Sequence, residues 1–170
     1  VLFLEILGPK RFVLLQGFFE FLDSGFFLAV VFLELLVLPV EAIAKAVKRK
    51  NPEVLFHTDA VQAAGNVPID VSDLGVDMLS VSSHKIYGPK GIGAMYIRKG
   101  VALPAFLHGG AQEMRKRAGT ENVPYIVGFG KAAELAGEIL DEHIEKLTEL
   151  RDYFIAQVLE KIPYVDINGG

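Results

Sequence analysis

The sequence predicts an α/β fold, and three observations point to it. Short apolar runs of buried-strand type recur at 54–57, 77–82 and 93–98. Helical patterns precede and follow them, giving the order helix, strand, strand, strand, long helix. The chain is 170 residues long, enough for one domain with a sizeable core.

In chain order, residues 1–39 stand apart. They hold eight of the twelve Phe and eleven Leu, with only Glu5, Lys10, Arg11, Glu20, Asp23 and Glu34 charged. The apolar residues there keep neither a helical nor a strand period. The run 26–38 is 38 − 26 + 1 = 13 residues long and contains Glu34, short of the ~20 apolar residues of a membrane helix. The order of charged and apolar residues does not fit a secretory signal either. Residues 1–38 are therefore expected to be foreign to the domain that follows, through a mis-joined reading frame, with a membrane anchor as the alternative.

From Val40 the pattern becomes globular. Residues 41–50 predict a helix: they are alanine-rich, Pro39 precedes them, Glu41 lies in the first turn and Lys48, Arg49 and Lys50 in the last, as the helix dipole favours. Asn51 and Pro52 stop it. Val-Leu-Phe-His at 54–57 and Asp-Met-Leu-Ser-Val-Ser at 77–82 predict buried strands. A third strand is expected at 93–98, where β-branched and aromatic residues lie between glycine-bearing loops. One long element is expected from about 123 to 162. In it Leu140, Ile144, Leu147, Leu150, Phe154 and Val158 step by three or four, an amphipathic stripe that Pro163 ends.

Composition excludes several function classes. With 17 Lys+Arg against 21 Asp+Glu the net charge is −4, and no basic stripe suggests a nucleic-acid partner. The absence of cysteine rules out disulfides, cysteine-ligated zinc or iron–sulfur clusters and a thiol nucleophile within these residues.

The chemistry-bearing residues gather in His-Thr-Asp-Ala-Val-Gln at 57–62 and Ser-Ser-His-Lys-Ile-Tyr-Gly-Pro-Lys-Gly-Ile-Gly at 82–93. Lys85 directly follows an apolar strand. A lysine partly desolvated at the carboxyl end of a strand has a lowered pKa and can act as a Schiff-base nucleophile. Asp59 also follows a strand, where ligands of α/β sheets collect, and a carboxylate there can keep a pyridine nitrogen protonated. Ser82, Ser83 and His84 offer donors for a phosphate. Each residue has a plainer reading alone: Asp59 as a helix N-cap, His84 as a packed or capping histidine, Gly88, Gly91 and Gly93 as turn glycines. Gly-Pro-Lys-Gly-Ile-Gly fits neither a P-loop nor a dinucleotide fingerprint.

Taken together, the stretches 57–70, 75–98 and His-Gly-Gly-Ala-Gln-Glu-Met-Arg-Lys-Arg-Ala-Gly-Thr-Glu-Asn-Val-Pro at 108–124 closely resemble the cysteine desulfurases of the NifS/IscS type. These are pyridoxal-phosphate enzymes of the class V aminotransferase group, and the resemblance runs from about residue 38 to the C-terminus. It implies a partial fold-type-I large domain, a mostly parallel sheet flanked by helices and incomplete at both ends, over 39–162, with 163–170 beginning the crossing to a small C-terminal domain. It implies that Lys85 is the lysine that binds pyridoxal 5'-phosphate covalently and moves protons at the substrate carbon. Asp59 would be the partner of the pyridine nitrogen, Gln62 the donor to the ring hydroxyl, and Ser82 and His84 the phosphate-binding pair. Thr120 would reach the cofactor phosphate of the neighbouring subunit in a homodimer. The implied reaction takes sulfur from L-cysteine, leaving L-alanine and a persulfide on an enzyme cysteine, for a sulfur-acceptor or scaffold protein of iron–sulfur assembly in the cytoplasm.

The departures from the family pattern carry expectations too. Family chains are more than twice this length. Their upstream phosphate loop, ring-stacking histidine and Asn-Asn-Glu segment are not found in residues 1–39, nor are their downstream persulfide cysteine and carboxylate-binding arginine found here. This chain alone is expected to hold the cofactor weakly or not at all, to release no sulfur and to expose apolar strand edges. The alternatives are another class V enzyme, a selenocysteine lyase or an aminotransferase, or a non-catalytic dimerisation or membrane-associated module.

Overall fold

A computed structural model describes residues 39–167, so the expectations for 1–38 and for 168–170 lie outside the described residues. Helix α1 (Val40–Lys50) forms as its composition predicts, and turns Val40 and Ala44 inward. Strand β1 (His57–Asp59), the single-turn helix α2 (Val71–Leu74), β2 (Met78–Ser82) and β3 (Gly93–Ile97) follow, then α3 (Val123–Glu138) and α4 (Leu140–Lys161). Two 3-10 turns, Ser83–Ile86 and Glu113–Arg115, complete the described elements.

The sheet has the order β1-β2-β3. Strands β1 and β2 are parallel, with Asp59 opposite Ser80, and β2 and β3 are antiparallel, with Ser82 opposite Gly93. A parallel pair needs a crossover, and the segment between β1 and β2 supplies it through α2. Asp70 starts that helix by accepting the N–H groups of Ser72 and Asp73, and Gly75 ends it at φ 65°, the left-handed cap that glycine adopts freely.

Two elements differ from the sequence expectation. The first strand pairs at 57–59 rather than 54–57 because the Asp77 carboxylate takes the Phe56 N–H at 2.7 Å. Val54 and Phe56 are still buried, but they enter the core from a loop. The long C-terminal element is two helices, not one. It breaks at Ile139 (φ −106°, ψ 5°), and near the start of α4 His143 Nε2 lies 3.2 Å from Asn66 Oδ1 in the loop after β1. That contact ties the beginning of α4 to the sheet.

Val40 and Ala44 of α1 pack with Phe56, Ala60, Ala63, Val76 and Leu79 to form the core. Beside it Asp77 is 0% exposed. Its carboxylate pairs with Lys48 at 2.5 Å and with Arg98, and so connects α1 with the start of β2 and the end of β3. Neither α3 nor α4 has a buried residue. No described helix is long and apolar enough to cross a membrane.

Candidate functional site

Successive side chains of a strand point to opposite faces, and this sorts the residues of β1 and β2. Phe56, Thr58 and Ala60 alternate toward the core, where Leu79 lies opposite Thr58. His57, Asp59, Ser80 and Ser82 share the other face. The polar row runs toward the carboxyl ends of two parallel neighbours, where α/β sheets bind their ligands.

Asp59 ends β1 and is half-buried. Its Oδ1 accepts the Val61 N–H at 2.8 Å, so one oxygen shapes the turn while Oδ2 remains available to a ligand. Gln62 lies three residues on, exposed in that turn, and its main-chain carbonyl accepts the Asn66 side-chain amide at 2.9 Å. After β2 the chain enters the Ser83–Ile86 turn, and Ser82 Oγ and His84 Nδ1 lie 2.7 Å apart across its start. Lys85 projects from the same turn and is exposed. The partial desolvation expected of it is therefore not found, because no described element covers the turn on that side.

Close packing holds the turn in place. A side chain at Gly88 would put its Cβ 2.1 Å from Ser83 Oγ and 3.0 Å from Ala132 of α3, and Ser83 is fully buried beneath. The fold thus gathers Ser82, His84 and Lys85 in one turn, with Asp59 and Gln62 following the adjacent strand. Thr120 stands apart, exposed in the loop before α3, and among the described residues no hydrogen bond links it to the turn.

Two residues of the polar row were not singled out from the sequence. His57 Nε2 lies 2.7 Å from Ser80 Oγ, and His57 is 8% exposed. Burial pushes its pKa below the ordinary 6.5, partly offset by the charge of Asp59. The readable signal was strand alternation, which places both residues on the face of Asp59 and Ser82. A primary amine, a hydroxyl–imidazole pair and a carboxylate with one uncommitted oxygen suit a phosphorylated ring carrying a carbonyl and a basic nitrogen.

The family profile Aminotransferase class-V matches residues 36–170. The chain belongs to the class-V aminotransferase family. Among curated members it is 55% identical over 131 residues to "Cysteine desulfurase IscS" of Dictyoglomus turgidum, covering 77% of this chain and 33% of that protein. It is 54% identical over 131 residues to the protein of the same name from Methanosarcina thermophila, covering 77% and 32%. Among solved structures, a "NIFS-LIKE PROTEIN" superposes with a TM-score of 0.75 at 42% identity, over 82% of this chain and 39% of that one. A NifS-like protein from Rickettsia africae gives 0.73 at 34% identity, over 82% and 39%. The chain thus spans about a third of the length of these class-V relatives, and its fold is part of the α/β fold of NifS-like enzymes.

Proposed function

We propose that these residues are the cofactor-holding part of a pyridoxal-phosphate-dependent cysteine desulfurase. The observation that carries the reading is the placement of Asp59 and of the Ser82–His84–Lys85 turn at the carboxyl ends of paired parallel strands. Bound there, pyridoxal 5'-phosphate supplies an electron sink for charge developing at a substrate α-carbon. Lys85 holds it through the side-chain amine and moves the proton at that carbon. Ser82 and His84 donate to its phosphate, Gln62 donates to its ring hydroxyl, and Asp59 Oδ2 accepts the N–H of its ring nitrogen and keeps that nitrogen cationic. Thr120 acts across a homodimer, which agrees with its place outside the turn.

The substrate in this reading is L-cysteine, the product L-alanine, and the sulfur passes to a protein acceptor in the cytoplasm. These 170 residues contain no cysteine, so the thiol that first takes the sulfur lies outside them. Residues 39–162 form part of the large domain, 163–170 lead toward a small one, and the residues before the family match begins at 36 are foreign to both. The chain is titrated with pyridoxal 5'-phosphate and its visible absorbance compared with that of Lys85→Ala. A weak band of lysine-bound cofactor is expected in the parent and none in the variant, and identical spectra overturn the assignment.

A further inference from the structure

We propose that His57 is a positioning residue for Asp59, held in place by Ser80. The inference rests on the reading of Asp59 as the partner of a cationic ring nitrogen. Alternation along β1 puts His57 and Asp59 on one face. Across the ladder Ser80 is the register partner of Asp59, yet its hydroxyl lies 2.7 Å from His57 Nε2. Ser80 thus stands beside the carboxylate and anchors the ring that flanks it. At 8% exposure His57 has little room to turn toward solvent, so the ring forms a fixed wall next to Asp59.

The chemistry gives that wall a role. Burial disfavours the imidazolium, and the charge of Asp59, on the same face of β1, opposes that shift only in part. An uncharged neighbour limits the rotation of the carboxylate and leaves its charge to a cationic ligand. A protonated histidine would compete for that charge. An apolar side chain of similar size would leave Ser80 Oγ, beside the carboxylate, without its imidazole partner and free to turn. These roles differ from holding the cofactor directly, which falls to Asp59 itself.

A double-mutant cycle and a titration test this in the full 170-residue chain. Affinity for pyridoxal 5'-phosphate is measured by absorbance in the parent, His57→Phe, Asp59→Asn and the double variant. His57→Phe is expected to weaken binding about tenfold with Asp59 present and less than about twofold in the Asp59→Asn background. Equal losses in both backgrounds overturn the proposal. His57→Gln keeps a polar group within reach of Ser80, guards against misfolding of the Phe variant, and is expected to recover most of the loss; no recovery counts against the role. In the cofactor-free chain, NMR follows the titration of the His57 ring. Asp59→Asn is expected to lower its midpoint by about half a unit or more, and an unmoved midpoint overturns the coupling. If Lys85→Ala matches the parent spectrum, the cofactor reading fails, while the ring titration still decides the His57–Asp59 coupling.

Discussion

Asp77 places a carboxylate at 0% exposure, between Lys48 and Arg98, where it also accepts the Phe56 N–H at 2.7 Å. Removing it leaves the buried Phe56 N–H without its acceptor and Lys48, 21% exposed, without a counter-charge, whereas Arg98 at 52% stays hydrated, a change of about 2 kcal/mol. Asp77→Ala is expected to lower unfolding stability by that amount, read from urea midpoints, and a change below about 1 kcal/mol would contradict the account. His57 makes a pH prediction at the same scale. Its folded-state pKa lies below the ordinary 6.5, so on acidification the unfolded chain takes up this proton first. The stability linked to it is complete above about pH 6.5 and falls as pH drops through the folded value, by at most about 1.4 kcal/mol per pH unit. Urea midpoints between about pH 7.5 and 5.5 should show this decline, and His57→Gln should flatten it. The candidate residues Asp59, Ser82, His84 and Lys85 were legible as a set because their types follow in order within two short stretches. Ser80 was not, because a serine inside an apolar strand gains meaning only from its strand neighbour.

Among the elements, the turn carrying Lys85 depends on two glycines. At Gly88 a Cβ would meet Ser83 Oγ at 2.1 Å, Ala132 Cβ at 3.0 Å and the Ser83 carbonyl at 3.1 Å, so Gly88→Ala must turn the buried Ser83 hydroxyl aside and crowd the turn against α3. A loss of about 1–3 kcal/mol is expected, together with loss of any Lys85-dependent absorbance; unchanged thermal unfolding would contradict this. Gly65 combines φ 78° with a would-be Cβ contact of 2.7 Å to Ile86 Cγ2, so an alanine there meets both left-handed strain and a clash. Helix α1 was legible because proline, acidic and basic residues sit where a helix needs them. The start of β1 was not, because the Asp77 side chain takes a backbone donor the ladder would have used. The division of α3 from α4 was hidden as well, because the apolar stripe begins at Leu140 and Ile139 carries no breaking signal of its own.

At the scale of the whole molecule, the stripe predicted on the last helix is covered only in part: among the described residues Leu140, Ile144 and Val158 are half-buried, whereas Leu147, Leu150 and Phe154 are exposed. Leu150 is 55% and Phe154 66% exposed, and Val123 and Val127 of α3 are exposed too. Exposed apolar surface of this kind marks an interface or drives association. The chain is expected to bind hydrophobic dyes and to associate with rising concentration. Leu150→Glu with Phe154→Lys should lower both dye fluorescence and light scattering, and an unchanged signal would locate the sticky surface elsewhere.

The α/β class, the first helix, the ordered site motifs and the class-V family were all present in the linear pattern. Each rests on local chemistry: side-chain period, capping residues, and chemical groups adjacent in the chain. Tertiary structure alone decided where β1 begins, where the last helix divides, which cations neutralise Asp77, and that Ser80 bridges from the register position of Asp59 to His57. Those outcomes depend on residues far apart in sequence competing for the same donors and the same space, and only the folded arrangement settles such competition.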